Sequence, residues 1–291
     1  MQHHNVESVP VTLHKMTISQ EGARNEITCP NLLPILYMSQ RLLYKYLDVE
    51  GGKMMLYHHN LQYTNAAKFN DPFDCHPSLI DFSNVPIELC KGWDAETIQL
   101  MRSDRHRRLR ERAWVCSLSK VNDSLLMWSY YTNHTGVCIG LNMEKVKKYL
   151  HAMLGTIVYT EAIEVSYADI VCKPDYFKEI KDFHHYQLCT KAKAWAHEQE
   201  MRLIILDPIN ACMPMSTPYK PKNKKDLIPW NEVRFYPSLG KECFESVYLG
   251  INISEEEKNN IIKIAKKLNP EIKIYQMKAN PTAFKLDAEP L

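Results

Sequence analysis

Ser246-Val247-Tyr248-Leu249-Gly250-Ile251-Asn252-Ile253, Ser254-Glu255-Glu256-Glu257, and Ile272-Lys273-Ile274-Tyr275-Gln276-Met277 are the segments whose reading decides the fold. The first is apolar and rich in β-branched residues, as a buried strand is. Ser254 followed three residues later by Glu257 has the form of a capping box, in which the hydroxyl and the carboxylate satisfy the free amides of a helix start. Ile261, Ile262, Ala265 and Leu268 continue as an apolar stripe at helical spacing, and Ile272–Met277 reads as a second strand. Strand, helix and strand in this order predict a right-handed parallel crossover. With the elements upstream, they predict an α+β chain: a mixed sheet with flanking helices and a C-terminal β-α-β unit.

Working back from that unit, Trp195-Ala196-His197-Glu198-Gln199-Glu200-Met201-Arg202-Leu203-Ile204-Ile205-Leu206 reads as a strand. A helix is expected over 175–194. Strands are expected at Leu42–Leu47, near Leu61–Thr64, at Trp114–Ser119 and Gly136–Leu141, and near Thr156–Tyr159 and Glu164–Tyr167. Short helices fit 53–60, Ser124–Tyr131 and Met143–Leu150, and Gly51-Gly52 is read as a break. Residues 94–112 read as a polar helix. The prolines and lysines of 209–237 suggest a long exposed loop, and residues 1–28 a polar leader or arm. The expected organisation is therefore one domain over 29–291 preceded by that arm.

Apolar residues at 45% and charged residues at 24% are those of an ordered globular chain. A net charge of +2 creates no global field, so attraction to nucleic acid would have to come from a local patch. Nine scattered cysteines without a C-x-x-C pair suit reduced thiols, hence a cytoplasmic protein, better than a disulfide framework. No apolar run approaches the roughly 20 residues that span a bilayer, so no membrane association is expected. P-loop, G-x-G-x-x-G, H-E-x-x-H and G-x-S-x-G patterns are absent, which argues against the commonest nucleotide hydrolases, dinucleotide-fold dehydrogenases, zincins and α/β-hydrolases. No zinc-ligand spacing is present, and no metal is expected.

Five short motifs occur in a fixed order: Leu43-Tyr44-Lys45-Tyr46, Phe69-Asn70-Asp71-Pro72-Phe73-Asp74, Met127-Trp128-Ser129-Tyr130-Tyr131, Gly136-Val137-Cys138-Ile139-Gly140, and Trp195-x-x-Glu198-x-Glu200-x-Arg202. Together with Tyr248-Leu249-Gly250 this order resembles the bacterial family catalogued as domain of unknown function 2971, across roughly residues 41–285. A more distant similarity is to ADP-ribosyltransferases, which place His or Arg in a first strand, Tyr or Ser in a second motif and a catalytic Glu in a third. That resemblance would put Lys45 or Tyr46 at the first place, Ser129 or Tyr130 at the second and Glu198 or Glu200 at the third. The usual His or Arg is missing here.

In a strand, Glu198, Glu200 and Arg202 share one face, where a carboxylate pair beside a guanidinium suits a cationic sugar-like transition state. In a helix end, Glu198 and Arg202 would merely form an i,i+4 ion pair. Asn70, Asp71 and Asp74 form a polar turn that either binds hydroxyls or caps itself. Trp128, Tyr130 and Tyr131 either stack on a base or pack, and His134 lies in a polar loop where it can titrate. Arg102, Arg105, Arg108 and Arg112 are either a phosphate-contacting face or a solvated one. The expected function is a nucleotide-recognising transferase with NAD as a candidate substrate. Glu200 would be the catalytic carboxylate, Glu198 and Arg202 its supports, and Tyr44, Lys45 and Tyr46 the donor pocket. The alternatives are a nucleic-acid or protein interaction module, and a metal-dependent hydrolase or nuclease centred on Asp71, Asp74 and Glu200.

Overall fold

The computed structural model describes residues 41–86, 110–154, 158–178, 183–206 and 233–291, with a few positions between 88 and 99. The polar arm at 1–28, Arg102, Arg105 and Arg108, and the proline- and lysine-rich segment up to 232 lie outside the described residues.

Ten described strands form one mixed sheet whose main path runs β12-β11-β10-β4-β1-β3-β2-β9, with β8 paired to β3 and β5 paired to β8. In chain order these are β1 (Leu42–Leu47), β2 (Tyr63–Asn65), β3 (Ala113–Ser119), β4 (Val137–Asn142), β5 (Val158–Glu164), β8 (Glu200–Leu206), β9 (Arg234–Phe235), β10 (Phe244–Leu249), β11 (Lys273–Ala279) and β12 (Leu286–Pro290). Two further short strands, β6 (Ser166–Ala168) and β7 (Thr190–Ala192), pair in parallel by themselves. The α-helices described from end to end are α1 (Val49–His58), α2 (Leu125–Thr132), α3 (Met143–Leu154), α4 (Phe183–Cys189) and α5 (Glu255–Leu268).

The C-terminal unit follows its sequence. β10 and β11 pair in parallel, Val247 opposite Ile274, with α5 between them in the chain. Ser254 caps α5 by accepting the Glu257 amide at 3.2 Å, while the Glu257 carboxylate turns to Lys53 of α1 at 2.5 Å. β4 is buried at all six positions because β1 and β10 flank it and both faces are covered. On one face α1, α3 and α5 supply Leu56, Leu150, Ile261 and Ala265 against Leu43, Ile139, Val247 and Ile274. On the other face α2 packs Met127 and Trp128 onto Tyr46, Cys138 and Tyr248, and a second cluster joins Leu188 and Cys189 to Val115 and Ile204.

Four local readings change. Gly51-Gly52 does not break the chain but sits inside α1, where Asp48 accepts the Gly51 amide at 2.7 Å. A Cβ at Gly52 would lie 2.3 Å from Val137 Cγ2, so glycine is what lets α1 approach β4. Of the helix expected over 175–194, the described part runs only from Phe183 to Cys189: 175–178 is a bridge and turn, and Thr190–Ala192 pairs with Ser166–Ala168. The exposed loop expected to 237 ends earlier, since Arg234–Phe235 pairs with β2. Finally, the strand at 195–206 starts only at Glu200: Lys193–Glu198 is a 3-10 helix, and Gln199 turns left-handed at φ 43°.

β3 organises the middle of the sheet. It pairs with β8 along its whole length, from Ala113 opposite Leu206 to Ser119 opposite Glu200. Its remaining edge is shared by β2, at Trp114 and Val115, and β1, at Ser119. β1 and β2 therefore diverge, and Lys45 reaches from β1 to donate to the Ser117 carbonyl at 2.8 Å. Six cysteines among the described residues are free, five of them buried. Among those residues no helix is long and apolar enough to cross a membrane.

Candidate functional site

The divergence of β1 and β2 opens a cleft of about 210 Å³ on the sheet face beside α2. Its walls come from distant parts of the chain: Tyr44, Lys45 and Tyr46 from β1, Phe69, Asn70 and Asp74 from the polar turn, Ser117–Ser119 from β3, Met127 and Tyr131 from α2, Lys191 from β7, and Glu198 with Glu200.

At the floor lies Arg202, fully buried. Its place on β8, two residues from Glu200, puts both side chains on one face of the strand. The guanidinium donates from Nε and Nη2 to the two Glu200 oxygens, at 2.8 and 3.0 Å. From Nη1 and Nη2 it donates to the two Asp74 oxygens, at 2.8 and 2.7 Å. The Leu188 carbonyl also accepts from Nη1, and the Phe69 ring lies 5.5 Å from the guanidinium carbon. Two bidentate carboxylates thus grip one cation, the geometry a planar guanidinium fits best. Burial alone would push the Glu200 carboxyl up, but Arg202 and Lys191 outweigh it and hold it at about 2.

Lys191 links this floor to the mouth. Its ammonium lies 2.6 Å from Glu198 Oε2, 3.3 Å from Glu200 Oε2 and 3.7 Å from Asp74 Oδ2, with the Trp195 ring 5.0 Å away. Burial works against its charge, but Glu200 and Glu198 together raise its pKa. The other Glu198 oxygen accepts from the Tyr131 hydroxyl. Burial, then that bond to Glu198, push the Tyr131 phenol up. The left-handed Gln199 is what aims Glu198 here: Ser119 Oγ donates to the Glu198 carbonyl at 2.7 Å, and the Lys120 amide to the Gln199 carbonyl at 3.0 Å.

Tyr44, Lys45, Tyr46, Asn70, Asp74, Glu198 and Glu200, singled out in the sequence, therefore meet in one place, with Arg202 beneath them. Others lie elsewhere. Trp128 is wholly buried, donates from its indole to the Asn122 carbonyl at 2.8 Å and meets Tyr46 edge-on at 5.4 Å, so it props the wall from behind and offers no stacking face. Tyr130 points outward from α2 toward His197, at 5.7 Å. His134 does not line the cleft; its backbone closes α2, donating to the Trp128 carbonyl and accepting from Asn252, both at 2.9 Å. Asp71 uses Oδ1 to cap the Phe73 amide at 2.8 Å, the self-capped turn. Arg112, the one residue of the basic set that is described, is half-buried.

Lys191 and Phe69 are side chains that sequence reasoning missed as site members, while of the aromatic cluster named there it is Tyr131 that lines the cleft. Met127 and Tyr131 are four apart on α2 and so share the cleft-facing side, whereas Trp128 and Tyr130 do not. That spacing was a usable signal. Thr190-Lys191-Ala192 carries none.

A hydrolase centred on Asp71, Asp74 and Glu200 is not what this arrangement forms. Arg202 fills the space between Asp74 and Glu200, and Asp71 serves its own turn. Among the described residues no group of three His, Cys, Asp or Glu side chains is placed to hold a metal ion.

Over residues 127–203, about a quarter of the 291-residue chain, the sequence matches the family described as protein of unknown function DUF2971. That span holds Met127, Tyr131, Lys191, Glu198, Glu200 and Arg202, while Lys45, Asn70 and Asp74 fall outside it. The chain has no significant match among curated proteins or solved structures. These comparisons add nothing to the similarity with ADP-ribosyltransferases. What stands is a likeness over residues 127–203 to the DUF2971 family, joined to a cleft whose other walls lie outside that span.

Proposed function

We propose that the cleft recognises a nucleotide-type ligand and transfers its glycosyl group, with NAD as the ADP-ribose donor to test first. The observation that carries this reading is the meeting of Lys45, Asn70, Tyr131, Glu198 and Glu200 in one cleft from four separate segments. Tyr44, Tyr46, Phe69 and Tyr131 line the same space, giving a flat ring apolar and aromatic walls. About 210 Å³ is below the roughly 300–1,000 Å³ of ordinary ligand pockets, so the cleft suits one ring with its sugar, the rest of a dinucleotide lying outside it.

Glu198, rather than Glu200, is the carboxylate assigned to the reacting centre. Glu198 is as buried as Glu200, but both Glu200 oxygens are held by the Arg202 guanidinium, whereas those of Glu198 go to the Tyr131 hydroxyl and the Lys191 ammonium. In the proposed step the C1′–N bond of the donor breaks and its electron pair leaves with nicotinamide. The Glu198 carboxylate stabilises the cationic sugar, an acceptor O–H or N–H attacks C1′, and the acceptor's proton passes to solvent.

Incubation with NAD and a panel of protein and nucleic-acid acceptors, followed by chromatography for released nicotinamide, tests the reading. Wild-type protein should release nicotinamide, and Glu198→Gln should slow release by about a hundredfold or more. No release with any acceptor, together with no detectable NAD binding, would end it.

A further inference from the structure

We infer that Lys45 and Asn70 form an anion subsite in this cleft, made for a phosphate group of the ligand. The inference rests on the nucleotide reading for the rest of the ligand, but not for the anion itself.

Charge pairing in the cleft is uneven. Arg202 is matched to Asp74 and Glu200, and Lys191 to Glu198 and Glu200. Lys45 lines the same cleft, yet among the described residues its ammonium makes no ion pair. Its hydrogen bond goes to the neutral Ser117 carbonyl at 2.8 Å. The charge of this half-buried lysine therefore has no carboxylate partner on the cleft, and an anion of the ligand is what would complete it. Asn70, exposed on the same cleft, makes no side-chain hydrogen bond among the described residues and adds a second donor.

A purely structural role does not account for the charge. Lys45 alternates with Leu43 and Leu47 on β1, and by strand periodicity its place belongs to the apolar face. Bridging the gap to the Ser117 carbonyl needs one donor on a long side chain, which a neutral residue supplies. The positive charge is surplus to that task. An ammonium with free donors is a point-charge partner for phosphate, and the Asn70 amide on the same cleft offers a donor to one further oxygen.

Calorimetric titration of adenosine, adenosine monophosphate and inorganic pyrophosphate into wild-type, Lys45→Gln and Lys45→Arg proteins tests this. Wild-type protein should bind the monophosphate about tenfold more tightly than the nucleoside. That ratio should collapse toward one in Lys45→Gln and largely return in Lys45→Arg. Equal affinity for nucleoside and monophosphate in the wild type, or a ratio that survives in Lys45→Gln, overturns the subsite while leaving the nucleotide reading standing. Lys45-dependent binding of pyrophosphate without binding of either adenosine compound keeps the subsite and removes the nucleotide reading. Binding of none of the three removes both. Should Lys45→Gln fail to fold, the wild-type ratio is followed as NaCl rises from about 50 to about 500 mM. It must shrink, and a salt-independent ratio also overturns the subsite.

Discussion

The floor and the mouth of the cleft use the same residue types in opposite ways. At the floor, Asp74, Glu200 and Arg202 are buried and bonded to one another, with every guanidinium N–H directed at an acceptor. Toward the mouth, Lys45 and Asn70 keep donors unspent, and Glu198, though as buried as Glu200, is shared between Lys191 and Tyr131. A closed network fixes shape, because any missing member strands a buried charge. An incomplete one leaves bonds for a ligand to make. On the proposed reading the floor therefore serves folding and the mouth recognition, with Lys191 joining them.

The largest effect is expected from breaking the floor at its centre. Arg202→Met leaves Asp74 and Glu200 as buried carboxylates without their guanidinium, and should cost about 3–5 kcal/mol in urea denaturation. A loss below about 1 kcal/mol would mean the floor is not a closed unit. Adding Asp74→Leu and Glu200→Met to the same variant should recover much of the loss, since an apolar trio leaves no charge stranded.

Glu200→Gln sharpens the comparison through pH. Folding lowers the Glu200 carboxyl from 4.5 to about 2, so its stabilisation is complete above pH 4.5 and disappears as pH falls toward 2. Wild-type protein should lose on the order of 3 kcal/mol from this group across that window. The variant starts less stable at neutral pH and should show a shallower acid slope. Parallel acid profiles for the two proteins would show that Glu200 carries no such linkage.

The two ends also differed in how far the sequence revealed them. The alternation Glu200-Met201-Arg202-Leu203 states the strand and its polar face outright, and the polar turn announces Asn70 and Asp74 by composition. The pairing of Arg202 with Asp74 spans 128 positions and is set by tertiary packing, which no local pattern encodes. Glu198 reached the cleft by a route unlike the expected one. A straight strand would have placed it beside Glu200, but the left-handed Gln199 does so from a 3-10 helix. Propensity misled at Gly51-Gly52, where close approach to Val137 overrides the usual cost of glycine in a helix. Lys191 was invisible because one lysine between threonine and alanine looks like any surface residue.

The division between floor and mouth is tested most directly by thermal melting of wild-type, Glu200→Gln and Glu198→Gln proteins, each with and without saturating NAD. Without ligand, Glu200→Gln should melt about 5–10 °C below wild type, and Glu198→Gln within about 3 °C of it. With NAD, wild type should rise by several degrees. Glu200→Gln should keep most of that rise, and Glu198→Gln should lose it. A Glu198→Gln protein as unstable as Glu200→Gln, with no ligand-induced rise in the wild type, would contradict the account and make the whole cleft one structural ion network.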